Sequence, residues 1–163
     1  NVFSFVSIGN GLVARITQQS LSVSGPAGDI WTGDTANGAS EIYIDFEDPN
    51  ALRQGEDTIP YFLAPRLADG GNGVILATEH KGGLLRHKMQ SFGQGRIVAL
   101  QWDGTSMQEL WHTRPPSGYL ADFGFADADN DGVKELVAFF TFGRQGLMSF
   151  SSGKSALMVF ELN

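Results

Sequence analysis

The chain has 163 residues, 18 % of them charged, with 21 glycines, no cysteine and a formal net charge of −7. This length suffices for one domain with a sizeable core, and the lack of cysteine excludes disulfides, thiolate metal sites and a cysteine nucleophile. The acidic balance and the scattered Lys and Arg residues argue against a nucleic-acid partner, and no run reaches the roughly 18 apolar residues that a transmembrane helix requires.

Short runs rich in β-branched and aromatic residues predict strands along the whole chain. They lie at 2–8, 12–17, 20–25, 41–46, 73–80, 95–104, 107–113, 134–142 and 155–162. Turn signals such as GPAGD, DGGNG, HKGG and DNDG separate these runs, and no segment shows a convincing helical period. Many short strands at fairly regular spacing predict an all-β sandwich, barrel or propeller.

Internal repetition favours the propeller among these three architectures. RLADGGNGVILAT (66–78) aligns with FGFADADNDGVKELVAF (123–139), and VSIGNGLVARI (6–16) is a fainter third copy. A second correspondence pairs 21–34 with 98–113, each of which reads as a strand, a tight turn and a second strand that leads to a tryptophan. A period of about 60 residues with about four strands fits a propeller blade.

We therefore predict a single β-propeller-type domain over 1–163, with repeat-like units near 6–60, 61–118 and 119–163. Each unit corresponds to a blade of antiparallel strands. About three blade equivalents are fewer than the 4–8 blades of a closed propeller, so the sequence predicts a partial propeller or a fragment. The first residues, NVFSFV, lack an initiator methionine and show no signal peptide, which we interpret as a processed or trimmed start.

The stretch FADADNDGVKELVAFF (125–140) carries an acidic pattern that is typical of calcium-binding loops. Carboxylates at alternate positions of a tightly curled loop can all point inward, and calcium takes 6–8 oxygen ligands. The predicted ligands are Asp127, Asp129, Asp131, the Val133 carbonyl and Glu135. Gly132 permits the sharp turn, and a cation would offset the repulsion among four carboxylates. The alternative is a solvated acidic turn without metal.

Two comparisons within the sequence narrow the interpretation of this loop. An EF-hand needs a bidentate Glu at position 12 between two helices, but that position is Ala138 and the flanking LVAFF is strand-like. The sequence therefore excludes an EF-hand, and it also excludes the related dockerin loop. The repeated turn at 69–73 has glycine and asparagine in place of most acidic residues, so we expect a metal-free tight turn there.

The stretch FADADNDGVKELVAF (125–139) resembles the signature of FG-GAP/VCBS-type repeats, the units of integrin-α-like β-propellers. That signature is an apolar residue followed by D-x-D-x-D-G-x-x-D/E-L and a strand. The match covers 119–139, is partial at 61–78 and is weak at 6–16. The resemblance implies propeller blades whose loops or faces bind proteins or glycans.

For the other residues that could bind a ligand or a metal, structural roles are the favoured interpretation. Trp31, Trp102 and Trp111 form either an exposed platform for a sugar or wedges between stacked sheets, and the wedge interpretation is favoured. Glu79, His80 and His87 surround a predicted hairpin, where solvated side chains are favoured over a zinc site. No nucleophile elbow, Walker loop or HExxH motif is present.

Together these features predict a non-catalytic, exported binding or scaffold module stabilised by Ca²⁺, in an extracellular, cell-surface or periplasmic location. Its partner would be a protein or glycan, the remaining blades of a larger propeller, or a second copy of the chain that covers an exposed blade edge. Two alternatives stay open, namely part of a larger propeller enzyme and a carbohydrate-binding lectin. A catalytic site would need a pocket in which several ionisable groups converge.

Overall fold

The fold is all-β, as the sequence predicts. The structure is a computed structural model that describes residues 4–17, 19–47, 58–86, 89–114, 116–142 and 154–161. Within these ranges the only helix is a single 3₁₀ turn at Thr35–Asn37. The strands are β1 (Phe5–Gly9), β2 (Leu12–Thr17), β3 (Ser20–Gly25), β4 (Gly28–Thr32), β5 (Tyr43–Glu47), β6 (Thr58–Phe62), β7 (Leu67–Gly71), β8 (Val74–Arg86), β9 (Met89–Trp102), β10 (Met107–His112), β11 (Tyr119–Ala126), β12 (Glu135–Phe142) and β13 (Lys154–Phe160).

The strands form four antiparallel sheets in which each strand pairs with the next one along the chain. Sheet 1 contains β1–β4, sheet 2 contains β7–β10 and sheet 3 contains β11–β13. Strands β5 and β6 make a separate two-stranded hairpin between sheets 1 and 2 in the sequence. Antiparallel neighbours need no crossover helix, which agrees with the lack of a helical period in the sequence.

The first hairpins of sheets 1 and 2 have the same turn. Asn10 and Asn72 both adopt the left-handed conformation at φ 53°, between glycines that also have positive φ. The pair Gly9↔Leu12 closes the first turn and Gly71↔Val74 closes the second, and each follows a register shift in the first strand. At the corresponding place in sheet 3, β11 and β12 are joined by the acidic loop, which the pair Ala126↔Glu135 closes.

The central strands of sheet 2, β8 and β9, contribute to cores on both faces because sheet 1 packs on one face and sheet 3 on the other. The core between sheets 1 and 2 contains Ala14, Ile16, Leu21, Leu67, Ile75, Ala77, Val98 and Leu100. The core between sheets 2 and 3 contains Leu76, Ile97, Ala99, Leu120, Phe123, Leu136, Ala138 and Phe140. Successive residues of a strand point to opposite faces, so Ile75 and Leu76 belong to different cores.

No helix within the described part of the chain is long and apolar enough to cross a membrane.

Candidate metal centre

The acidic loop, residues 127–134, connects two strands that are firmly held in sheet 3. Strand β11 ends at Ala126, and β12 begins at Glu135, directly opposite it. Leu136 then enters the core between sheets 2 and 3. The loop is therefore anchored at both ends by the sheet, and Glu135 stands where the loop meets the core.

Three carboxylates of this segment converge. One oxygen each from Asp127, Asp129 and Glu135 lies within 4.8 Å of the others, and no other such group occurs among the described residues. Asp127 and Asp129 are exposed, whereas Glu135 is only 2 % exposed. The cluster thus lies at the surface with its deepest carboxylate turned away from solvent.

Backbone N–H groups hold these carboxylates in place and keep the loop curled. The Asp131 N–H donates to Asp127 Oδ1 and to Asp129 Oδ1, both at 3.1 Å. The Gly132 N–H donates to Asp127 Oδ2 at 3.1 Å, and the Ala128 N–H donates to Glu135 Oε2 at 2.6 Å. Gly132 has a φ of 92°, a conformation that a side chain would strain.

The other two predicted ligands are arranged differently. The carboxylate of Asp131 lies outside the group of three and accepts a hydrogen bond from the Val133 N–H at 2.7 Å. Val133 itself is 57 % exposed. The structure therefore gathers three of the four predicted carboxylates, and the fourth caps the turn that leads into β12.

These residues fit a hard divalent cation. Carboxylate oxygens are the ligands that calcium prefers, and buried charges in proteins are usually paired or bound to metals. Glu135 lies beside two further carboxylates, and its one described hydrogen-bond donor is a neutral N–H. Asp69, in the corresponding turn of sheet 2, instead accepts a hydrogen bond from the Gly71 N–H at 2.8 Å.

The tryptophans are divided between two places. Trp31 and Trp102 meet edge to face, with ring centroids 6.3 Å apart, and Trp31 packs against the core between sheets 1 and 2. Trp111 is 41 % exposed on β10, at the edge of sheet 2. The rings of Trp31 and Trp102 thus contribute to packing between sheets 1 and 2, which is the arrangement that the wedge interpretation describes.

The histidine of the β8–β9 hairpin is buried, contrary to the solvated side chain favoured from the sequence. His80 is 3 % exposed, with Nδ1 3.1 Å from the Ala39 carbonyl oxygen and Nε2 3.0 Å from the Leu120 carbonyl oxygen. The rings of Phe92 and Tyr119 stack near it at 5.0 and 4.6 Å. Sequence patterns could not reveal this, because its polar partners are backbone carbonyls distant along the chain.

Burial makes a positive charge on the His80 ring energetically unfavourable. Burial lowers the pKa of His80, while the two carbonyl contacts and the neighbouring Glu79 carboxylate oppose that shift. Glu79 is itself paired with Arg96 and with Lys81. His87, the other histidine of the predicted hairpin, lies outside the described residues.

We expect acid to destabilise the protein through His80. Because the pKa of His80 is lower in the folded state, the unfolded chain binds the proton more readily. Protonation of His80 therefore costs no folding stability above about pH 6.5. Below that pH the stability falls by up to about 1.4 kcal/mol per pH unit until the pH passes the folded pKa. Urea unfolding of the wild type and of His80→Gln between pH 8 and 5 should show this slope only in the wild type.

An NMR titration of the His80 ring gives a direct reading even if the Gln variant folds poorly. A titration midpoint above that of a model histidine would contradict the prediction, and it would mean that the two carbonyls hold an imidazolium.

Comparison with protein-family models, with curated proteins and with solved structures finds no match to this chain.

Proposed function

We propose that this chain is a non-catalytic binding or scaffold module that Ca²⁺ stabilises at the loop between β11 and β12. The observation that carries the proposal is the Glu135 carboxylate, 2 % exposed and gathered with those of Asp127 and Asp129. When bound, a calcium ion would neutralise this charge and tie the end of β11 to the start of β12. Asp127, Asp129 and Glu135 would hold it, with the Asp131 carboxylate and the Val133 carbonyl as further predicted ligands.

We also propose that the stacked sheets are blades of a propeller of the FG-GAP/VCBS type. Three sheets of successive antiparallel strands, packed face to face, support this assignment. So does the recurrence of one hairpin turn in sheets 1 and 2. An extracellular, cell-surface or periplasmic location accords with a calcium site of this kind, since extracellular modules bind calcium with modest affinity. Partners would be a protein, a glycan, further blades or a second copy.

The surroundings of the cleft beside sheet 3 favour a non-catalytic role. A cleft of about 530 Å³ lies between the base of the β5–β6 hairpin and sheet 3, with Tyr119, Arg66 and Asp122 among its lining residues. Arg66 and Asp122 neutralise each other through two hydrogen bonds of 2.7 and 3.0 Å. The carboxylates of the metal centre do not line this cleft. The edge-to-face pairing of Trp31 and Trp102 gives the lectin alternative little support.

Measuring the Tm of thermal unfolding at increasing calcium concentrations tests the proposal. A ligand that binds only the native state stabilises it by about 2.7 kcal/mol at 100 times its dissociation constant. For a chain of this length that corresponds to a rise in Tm of roughly 5–11 °C. We expect excess chelator to reverse the rise and magnesium to give less. A Tm that responds to neither calcium nor chelator would overturn the calcium site.

A further inference from the structure

The fourth strands of sheets 1 and 2, β4 and β10, carry the same short pattern in the same register. In sheet 1 the pairs are Ser24↔Asp29, Val23↔Trp31 and Ser22↔Thr32, and in sheet 2 they are Leu100↔Glu109, Ala99↔Trp111 and Val98↔His112. The register skips one aliphatic residue in each strand, Ile30 or Leu110. Each strand thus has an acidic residue, a skipped aliphatic residue, a tryptophan and a polar residue, and we call it a tryptophan strand.

The two tryptophan strands are also followed by the same backbone hydrogen bond. In sheet 1 the Gly33 N–H donates to the Leu21 carbonyl oxygen at 2.9 Å, and in sheet 2 the Thr113 N–H donates to the Ile97 carbonyl oxygen at 2.9 Å. Each acceptor lies two residues before the residue that pairs with the tryptophan, so the bond has the same place in both sheets. The tryptophan strand is therefore a repeated unit of this fold.

Sheet 3 has the strand that would receive a tryptophan strand, but it has no fourth strand among the described residues. Val159 on β13 pairs with the third residue of β12, just as Val23 and Ala99 pair with the third residues of β2 and β8. Val159 therefore corresponds to the residue opposite the tryptophan. Leu157, two residues earlier, corresponds to the residue whose carbonyl oxygen accepts from the N–H beyond the fourth strand.

The edge of β13 is open and apolar at these positions. Val159 is 48 % exposed and Leu157 is 66 % exposed, whereas each of the four equivalent residues of sheets 1 and 2 is fully buried. Asp122, which pairs with Arg66, lies on β11 at the opposite edge of sheet 3 and leaves this edge clear. An edge strand presents unpaired N–H and C=O groups to which another strand can add.

The surroundings of β13 select the tryptophan rather than the acidic residue of the pattern. Asp29 pairs with Arg15, and Glu109 pairs with Arg96. The positions of sheet 3 that are equivalent to these arginines are alanines. An acidic residue would therefore gain no equivalent ion pair at β13, and recognition rests on backbone pairing and on the tryptophan.

A second copy of this chain is not suited to supply the strand. Both tryptophan strands are already paired in their own sheets, β4 with β3 and β10 with β9. A copy that lent one of them would lose those pairs and open the same edge in its own sheet. The strand therefore comes from a different protein.

We propose that the edge of β13 binds an extended segment of another protein, which adds to sheet 3 as its fourth strand. The segment runs antiparallel to β13, places a tryptophan opposite Val159 and donates a backbone N–H to the Leu157 carbonyl oxygen. Strand addition of this kind takes its affinity from main-chain hydrogen bonds and its specificity from alternate side chains. The inference deepens the binding function proposed above and rests on it, because it names the class of partner.

Fluorescence anisotropy with a labelled peptide of residues 105–114, TSMQELWHTR, tests this site on the full chain. The peptide carries the tryptophan strand of sheet 2, and it is titrated in excess calcium and again in excess chelator. We expect saturable binding, which Trp111→Ala in the peptide weakens about tenfold or more, as for a tryptophan at the centre of an interface. No binding in either buffer, or equal binding of both peptides, would overturn the strand site, whereas the calcium site is judged by the Tm titration alone.

Two N-methylated peptides distinguish strand pairing from adsorption of an apolar peptide. N-methylation at Thr113 removes the N–H that is directed at the Leu157 carbonyl oxygen. N-methylation at His112 removes an N–H on the other side of the strand, since successive N–H groups of an extended strand point in opposite directions. We expect only the first to weaken binding, and equal losses would contradict strand addition.

A lysine on the protein locates the peptide. Val159→Lys places a charge opposite the tryptophan, and it should weaken binding about tenfold or more. Leu110→Lys is the matched control, because it makes a similar change at a 51 % exposed residue of another edge strand, and binding should stay unchanged. Equal affinities for the two variants would place the peptide elsewhere and overturn the assignment to β13.

Discussion

Replacing Gly95 with alanine is expected to destabilise the protein by about 1–3 kcal/mol, the usual cost of inserting a methyl group into a packed interior. A Cβ at Gly95 would stand 2.6 Å from the Leu120 nitrogen and 2.7 Å from the Leu120 Cβ. Both are far inside van der Waals contact, so β9 and β11 would have to move apart. Gly95 therefore sets how closely sheets 2 and 3 approach.

The surrounding contacts leave little room for such a movement. Leu120 is fully buried, and its carbonyl oxygen contacts His80 Nε2. Nearby, the Gly118 N–H donates to the Gly93 carbonyl at 2.9 Å. Separating the strands would stretch these contacts, so the strain cannot be relieved at one atom. We expect the loss to exceed that of an ordinary surface glycine substitution.

Urea unfolding measures the loss, with Gly124→Ala as the matched control. Gly124 lies on β11 as well, but an added Cβ there would meet nothing within 4 Å. The Gly124 variant should unfold within about 0.5 kcal/mol of the wild type, as surface substitutions usually do. Equal midpoints for the two variants would contradict the close approach of β9 and β11.

The sequence predicts the strands with strong β-branched patterns and misses those rich in glycine or lacking such a pattern. LADGG in β7 and YLADFGFA in β11 contain no β-branched residues, so the sequence does not predict them as strands, although each pairs with the following strand apart from one register shift. The HKGG signal is not a turn, because β8 continues through it to Arg86. Pairing with a long neighbour outweighs local propensity in these segments.

Contacts between sheets were beyond the reach of sequence reasoning for a different reason. His80 touches the carbonyls of Ala39 and Leu120, and Gly95 makes room for Leu120. Contacts to backbone atoms leave no residue-specific pattern, so the amino-acid sequence does not indicate that these residues are in contact. The acidic loop was predictable because all its groups lie within one short segment whose spacing sets their geometry. Even there, the spacing did not distinguish Asp131 from its neighbours.

Neutralising one carboxylate of the cluster is expected to change stability in opposite directions with and without calcium. In chelator, Asp129→Asn removes a negative charge that lies within 4.8 Å of two others, so we expect a small rise in Tm. The amide oxygen can still accept from the Asp131 N–H, so the turn keeps that hydrogen bond. In saturating calcium the variant lacks a charged ligand and should lose most of the rise of roughly 5–11 °C expected for the wild type.

A Tm of Asp129→Asn that is above the wild-type value in chelator and below it in calcium distinguishes a metal ligand from a residue that only shapes a turn. Asp69→Asn is the matched control, since Asp69 caps the corresponding hairpin of sheet 2 and belongs to no acidic group. That variant should behave like the wild type in both buffers. If Asp129→Asn instead lowers the Tm in chelator and keeps the full calcium response, Asp129 acts only through its hydrogen bond to the backbone. Hydrogen bonds from backbone N–H groups to the carboxylates would then be what stabilises the loop. The Glu135 carboxylate would have to be neutralised by a group other than a metal held by Asp129.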